Sequence, residues 1–231
     1  FAGGHKVYGW RGGVVGAVAT LGVIIGAAGT VMFLGAMIVG PLTALGLKWI
    51  EKLWAGKIRP GFEMLVDNYS AGVVAFIAAL ASFFLVAPVV KWVADVLGAA
   101  VGFLIDNGLI PLASIIVEPA KVLFLNNAIN HGVFTPLGAE QVLEQGKSLL
   151  FLVEANPGPG AGLLLAIAIC GVGAARATAP GALIIQFLGG IHEVYFPYAL
   201  AKPALILGRI AGGATGVTTN MLFGSGLVAP A

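Results

Sequence analysis

Charged residues are so sparse along this chain that the gaps between them mark out its elements. Residues 12–47 contain no Asp, Glu, Lys or Arg. As one helix at about 1.5 Å per residue, that stretch would reach roughly 54 Å, well past a hydrocarbon core of about 30 Å. It must therefore turn, and Gly26 to Thr30 is the expected place, which gives two consecutive spans. A second uncharged run, Asn68 to Val90, fits one span. A third, Ala155 to Ala175, opens with Asn156-Pro157-Gly158-Pro159-Gly160, so its helix is expected to start near Ala161. The last, Ile210 to Ala231, is loosened by Gly212, Gly213, Gly216, Gly224 and Gly226.

The pieces between these runs differ in kind. Lys48 to Arg59 carries four basic residues against Glu51, with Trp49 and Trp54 suited to the headgroup zone, and the positive-inside rule puts it on the cytoplasmic side as a solvated loop. Trp92 to Ile105 reads as an amphipathic interfacial helix, with Lys91, Asp95 and Asp106 at its wetter positions. From Asn107 to Gly160 the apolar runs are short and broken by polar clusters. Non-helical backbone at membrane depth survives only where protein or a water-filled cavity covers it, and interrupted segments point to a transporter's substrate site. The region is read as a re-entrant or hairpin segment followed by a helix beginning near Pro119. The fold class that results is all-α: a polytopic transmembrane helix bundle with an interfacial amphipathic helix and re-entrant hairpin segments.

Composition agrees with that pattern. Of 231 residues, 59% are hydrophobic and 10% charged, with a mean hydropathy of +1.01. An ordinary soluble surface needs about 25% charged residues. The 35 glycines permit close helix packing and non-helical breaks. A net charge of +2 without a Lys/Arg run gives no reason to expect a nucleic-acid partner. Single Cys170 excludes an internal disulfide, and its apolar setting predicts a buried, inert thiol. No glycine motif is followed by a phosphate-loop lysine and serine, so no nucleotide cofactor is expected. HExxH is absent and the three histidines are scattered, so no metal site is expected either.

Two clusters carry candidate chemistry. In Phe124-Leu125-Asn126-Asn127-Ala128-Ile129-Asn130-His131-Gly132, helical spacing pairs Asn126 with Asn130 and Asn127 with His131. Amides donate and accept, which suits a neutral polyhydroxyl ligand; they equally suit bridges between neighbouring helices. In Gly189-Gly190-Ile191-His192-Glu193-Val194-Tyr195-Phe196-Pro197-Tyr198, Glu193 is the one acidic residue between Ala155 and Ala231. A carboxylate that isolated should face a cavity or a partner, either a ligand or Lys202 or Arg209. Glu118 and Lys121, three apart, are expected to pair locally.

These segments, FLNNAINHG, EANPGPG and GGIHEVYFPY, together with RGGVVGAV and GFEMLVDNYSAG, closely resemble the membrane-embedded C domain of the mannitol-specific enzyme II of the bacterial phosphoenolpyruvate-dependent phosphotransferase system. The resemblance runs in order over nearly the whole chain. It implies a multi-pass domain of the bacterial cytoplasmic (inner) membrane that binds mannitol or a close polyol and presents it to a phospho-cysteine on a B domain. It also implies a homodimer. The substrate groups it implicates are His131 and Glu193, with Asn126, Asn127, Asn130 and His192 completing the shell. Glu193 is also the candidate base for the attacking hydroxyl.

Residues 1–231 are thus expected to be one transport domain without the family's N-terminal segment or its soluble B and A domains, and Cys170 does not stand where the phospho-cysteine would. Alone, such a stretch would hold and deliver the acceptor rather than transfer a phosphoryl group. The competing readings are a proton- or cation-coupled secondary transporter or channel for a polar solute, and a purely structural membrane subunit.

Overall fold

The computed structural model describes residues 1–30 and 32–230, which form an all-α chain of two compact units, Phe1–Ala94 and Asp95–Ala231. Among the described residues, four helical stretches are long and apolar enough to cross a bilayer: Ala2–Gly26, Phe33–Lys52, Glu63–Asp106 and Leu150–Cys170. Phe76, Phe84 and Leu85 lie exposed along the third, an apolar surface that lipid rather than water would cover.

In the first unit, α1 (Ala2–Gly26) and α2 (Phe33–Lys52) are separated at the expected turn, and α3 (Glu63–Ala81) follows the basic connection. Small residues let the backbones close up: a Cβ on Gly16 would come within 2.6 Å of the Gly40 carbonyl oxygen. Ala19, Val23, Val39 and Ala87 fill the core.

Three sequence expectations are corrected here. Asn68 to Val90 is not a separate span, because α3 passes through a π turn (Ser82–Val86) into α4 (Ala87–Asp106), one 44-residue helical run that also contains the segment read as a separate interfacial helix. The π turn ends just before Pro88, whose missing N–H and bulky ring disrupt an ordinary helical bond to Phe84. Nor is Glu51 part of a solvated loop. It closes α2 at 9% exposure, where Arg11 pairs with it and the Tyr8 and Ser70 hydroxyls donate to it at 2.5 and 3.0 Å. Arg11 also reaches Asp67 at 3.2 Å.

The second unit is built of short pieces. After a 3₁₀ turn (Ile110–Ala113), α5 (Ser114–Val122) begins before Pro119 rather than at it. Phe124, at φ +57°, stops α5 with a left-handed backbone that a non-glycine residue rarely takes. Next come α6 (Asn126–Ile129), a π turn (Asn130–Phe134), α7 (Thr135–Gln145) and α8 (Leu150–Ala155). Helix α9 (Gly158–Cys170) starts on the Pro157-Gly158-Pro159 signal, three residues before the expected Ala161. It packs against α10 (Gly173–Gly189). A 3₁₀ turn (His192–Tyr195), α11 (Phe196–Ala201) and α12 (Leu205–Leu222) complete the chain. The core of this unit is Val122, Leu163, Leu164, Ala179, Phe196 and Ala199 around Tyr195.

Candidate functional site

Both chemical clusters of the sequence fall in the second unit, each at a break in helical structure. The asparagine motif lies where α6 passes into the π turn ahead of Pro136, a second case of a π turn ending just before a proline. The wider turn closes with the Thr135 N–H bonding the Asn130 carbonyl, five residues back. Asn126 turns instead to α8, donating from Nδ2 to Glu154 Oε1 at 2.7 Å. Asn130 Oδ1 accepts from Thr135 Oγ1 at 3.4 Å. Asn127 is half-buried and His131 is exposed.

The second cluster is shaped by the end of α10. Gly190 takes φ +68°, which terminates the helix in the left-handed region open to glycine, and Ile191 is extended. The 3₁₀ turn that follows leaves Glu193 exposed, His192 half-buried and Tyr195 buried. Burial, and then the charge of Lys121, hold the His192 pKa below its usual value, so this imidazole stays neutral and can both donate and accept. Neither His131 nor Glu193 has a hydrogen-bond or ion-pair partner among the described residues. No ion pair joins Glu193 to Arg209 among the described residues; Arg209 is engaged elsewhere.

Its engagement is the feature that sequence reasoning missed. Arg209 on α12 donates from Nη2 to Glu118 Oε2 and to the Tyr195 hydroxyl, each at 2.5 Å. Its guanidinium carbon lies 4.0 Å from the centre of the Tyr195 ring. Lys121 Nζ reaches Glu118 Oε1 at 3.0 Å and the Val153 carbonyl at 3.4 Å. Glu118, Lys121 and Arg209 are exposed by 2% or less, so two cations share one carboxylate away from solvent. The local Glu118–Lys121 pair was legible from spacing; the third partner, from the far end of the chain, was not. Gln186 on α10, a lone amide in an apolar run, was the overlooked signal: it is fully buried and donates to the Pro157 carbonyl at 3.0 Å.

Several polar atoms here lack a partner. Arg209 Nε and Nη1, Gln186 Oε1 and Glu154 Oε2 are shielded from solvent and have no hydrogen-bond partner among the described residues. Donors and acceptors left open in one unit suit a ligand or waters that offer both. Close helix approach packs Gln186 and Tyr195 against α9. A Cβ on Gly160 would collide with Gln186 Nε2 and the Tyr195 ring, whereas one on Gly162 would meet open space. Gly160→Ala is therefore expected to destabilise the domain by about 1–3 kcal/mol through overpacking, with Gly162→Ala near neutral. Equal thermal midpoints for the two variants would contradict this packing. Cys170 is corrected as well: it is exposed at the end of α9 rather than buried.

The family described as "Phosphotransferase system, EIIC" matches residues 6–213. The chain belongs to that family. This EIIC domain is 56% identical over its whole length to the "PTS system mannitol-specific EIICBA component" of Vibrio cholerae serotype O1, where it covers 35% of the relative. It is 54% identical to the "PTS system mannitol-specific EIICB component" of Bacillus subtilis, covering 48%, and 55% identical to the EIICBA component of Escherichia coli, covering 36%. The domain thus spans between about a third and a half of these curated relatives. No solved structure gives a significant match to the chain. With its four apolar spans, this EIIC domain is a multi-pass membrane domain.

Proposed function

We propose that this EIIC domain binds mannitol or a close polyol in its second unit and carries it across the bacterial inner membrane to a phosphorylated B domain. The observation that carries this reading is the pair of buried acceptors without a partner, Gln186 Oε1 and Glu154 Oε2, beside the two polar motifs of an otherwise apolar bundle. Relatives matched over the full length of this chain are named mannitol-specific, and their names join C to B. A polyol offers a hydroxyl on every carbon, each able to donate to such acceptors and to accept from the asparagine amides. His131, Glu193, His192, Asn126, Asn127 and Asn130 form the polar groups of the binding site in this proposal, and the protein works as a homodimer.

The chemical step follows the same division of labour. The polyol hydroxyl oxygen attacks the phosphorus of the B-domain phospho-cysteine; the O–P bond forms, the S–P bond breaks, and the sulfur leaves as thiolate. Glu193 takes the hydroxyl proton. The domain's contribution is to hold the hydroxyl in line, the main part of catalysis in phosphoryl transfer.

Uptake by the full-length protein, in cells without another mannitol transporter, tests this reading. Labelled mannitol should accumulate as its phosphate, require phosphoenolpyruvate and persist when an uncoupler removes the proton gradient. Accumulation of unmodified mannitol that the uncoupler abolishes would make the protein a secondary transporter instead.

A further inference from the structure

The motifs assigned to polyol contact come from separate stretches of chain, and one buried cluster ties them together. Glu118 lies on α5, which leads through Phe124 into the asparagine motif. Tyr195 closes the turn that presents His192 and Glu193. Arg209 Nη2 bonds to both, at 2.5 Å each. A four-residue 3₁₀ turn has poor internal hydrogen-bond geometry, so its orientation depends on what anchors it. Here the anchor is Tyr195, at 1% exposure, whereas Glu193 itself is exposed and unbonded.

We propose that Arg209 is a positioning residue for polyol recognition: through Tyr195 and Glu118 it sets where the Glu193-bearing turn stands relative to the asparagine-bearing segment. The proposal rests on the reading of Glu193 as a ligand contact. A planar guanidinium can serve a carboxylate and a phenol at once and lie over the phenol's ring; an ammonium is a point charge and holds no such fixed geometry. The position therefore calls for arginine and not merely for a cation. Breaking a buried ion pair is costly, but the intact pair adds little net stability over apolar packing of the same volume, so a role in placement accounts for its presence here.

Three variants of the full-length protein, purified in detergent, test this: Tyr195→Phe, Arg209→Lys and Arg209→Gln, each read by mannitol Kd and by ligand-free thermal midpoint. Tyr195→Phe keeps the ring against Phe196 and removes only the hydroxyl that accepts from Arg209. It is expected to weaken mannitol binding about three- to tenfold, the loss of one hydrogen bond's worth of placement. Arg209→Lys should keep most of the thermal midpoint through Glu118 yet fail to restore affinity, and Arg209→Gln should lose both. In a Glu193→Gln background the Tyr195→Phe effect should fall below about twofold, because residues acting through one group are less than additive.

Wild-type affinity in folded Tyr195→Phe and Arg209→Lys overturns the proposal, as does an undiminished effect in the Glu193→Gln background. Should Arg209→Gln fail to fold, Tyr195→Phe still decides. If Glu193→Gln alone leaves Kd unchanged, the assignment of Glu193 to the polyol site fails, and the placement of its turn no longer matters. If Glu193→Gln weakens binding while the Arg209 and Tyr195 variants do not, the polyol site stands and only the positioning role is lost.

Discussion

Glu193→Gln is expected to weaken mannitol binding ten- to a hundredfold or more while leaving the fold intact. The carboxylate sits exposed on its turn with no partner among the described residues, so removing its charge orphans nothing inside the protein. A ligand hydroxyl donating to it would lose a charge-assisted hydrogen bond, which contributes about 1.5–3 kcal/mol. Glu193→Asp should weaken binding as well, because a carboxylate shorter by one methylene no longer reaches. His131→Ala should act on the same ligand, and the double variant should be less than additive because both groups share it. Equilibrium binding of radiolabelled mannitol to the full-length protein in detergent reads all four. An unaltered dissociation constant in folded Glu193→Gln protein would remove Glu193 from the site.

Glu118→Ala should do the reverse and damage folding first. Lys121 and Arg209 both depend on this carboxylate, and all three side chains are within 3% of complete burial. Taking away the shared anion leaves two cations facing each other out of water. Breaking a buried pair costs about 3–5 kcal/mol, a large part of the 5–15 kcal/mol that holds a typical domain together. The expected result is a sharply lowered thermal midpoint or loss of detergent-stable protein. Glu118→Gln, which keeps the shape but not the charge, should be nearly as harmful. Replacing all three charges together with apolar side chains of similar size should recover stability, since no charge is then left unpaired. Recovery of stability without recovery of mannitol affinity is the pattern that fits a site placed by this cluster. A thermal midpoint unchanged in Glu118→Ala would show that the cluster does not hold the second unit together.

The two variants read different faces of one unit. Glu193 stands at the edge of the second unit, where a partner must come from outside the chain. Glu118 lies within it, where the partners are already present. The exposed carboxylate should control affinity and the buried one should control folding.

Hydropathy by itself determined that this chain is a membrane helix bundle, because a helix rises by a fixed amount per residue and a bilayer has a fixed thickness. It placed the turn after α1, and the proline and glycine signals placed the start of α9 to within three residues. The two polar motifs were visible for a similar reason: isolated amides and a lone carboxylate are costly in apolar runs and stand out there. Pro88 and Pro136 also carried a sign of the two π turns, since each removes a backbone donor just beyond the turn.

What only the tertiary structure decided was which charge meets which. Glu51 looked like one more residue of a basic loop until Arg11, Tyr8 and Ser70 were seen to enclose it. Arg209 was a candidate partner for Glu193, sixteen positions away, and instead joined Glu118, ninety-one positions away. Local spacing can pair residues only within a turn or two of one helix. A contact between α5, α12 and the Tyr195 turn depends on close backbone approach at Gly160 and Gly213, where an added Cβ would meet Tyr195 in one case and Ser114 in the other. That closeness is a property of packed helices, and no single stretch of sequence contains it.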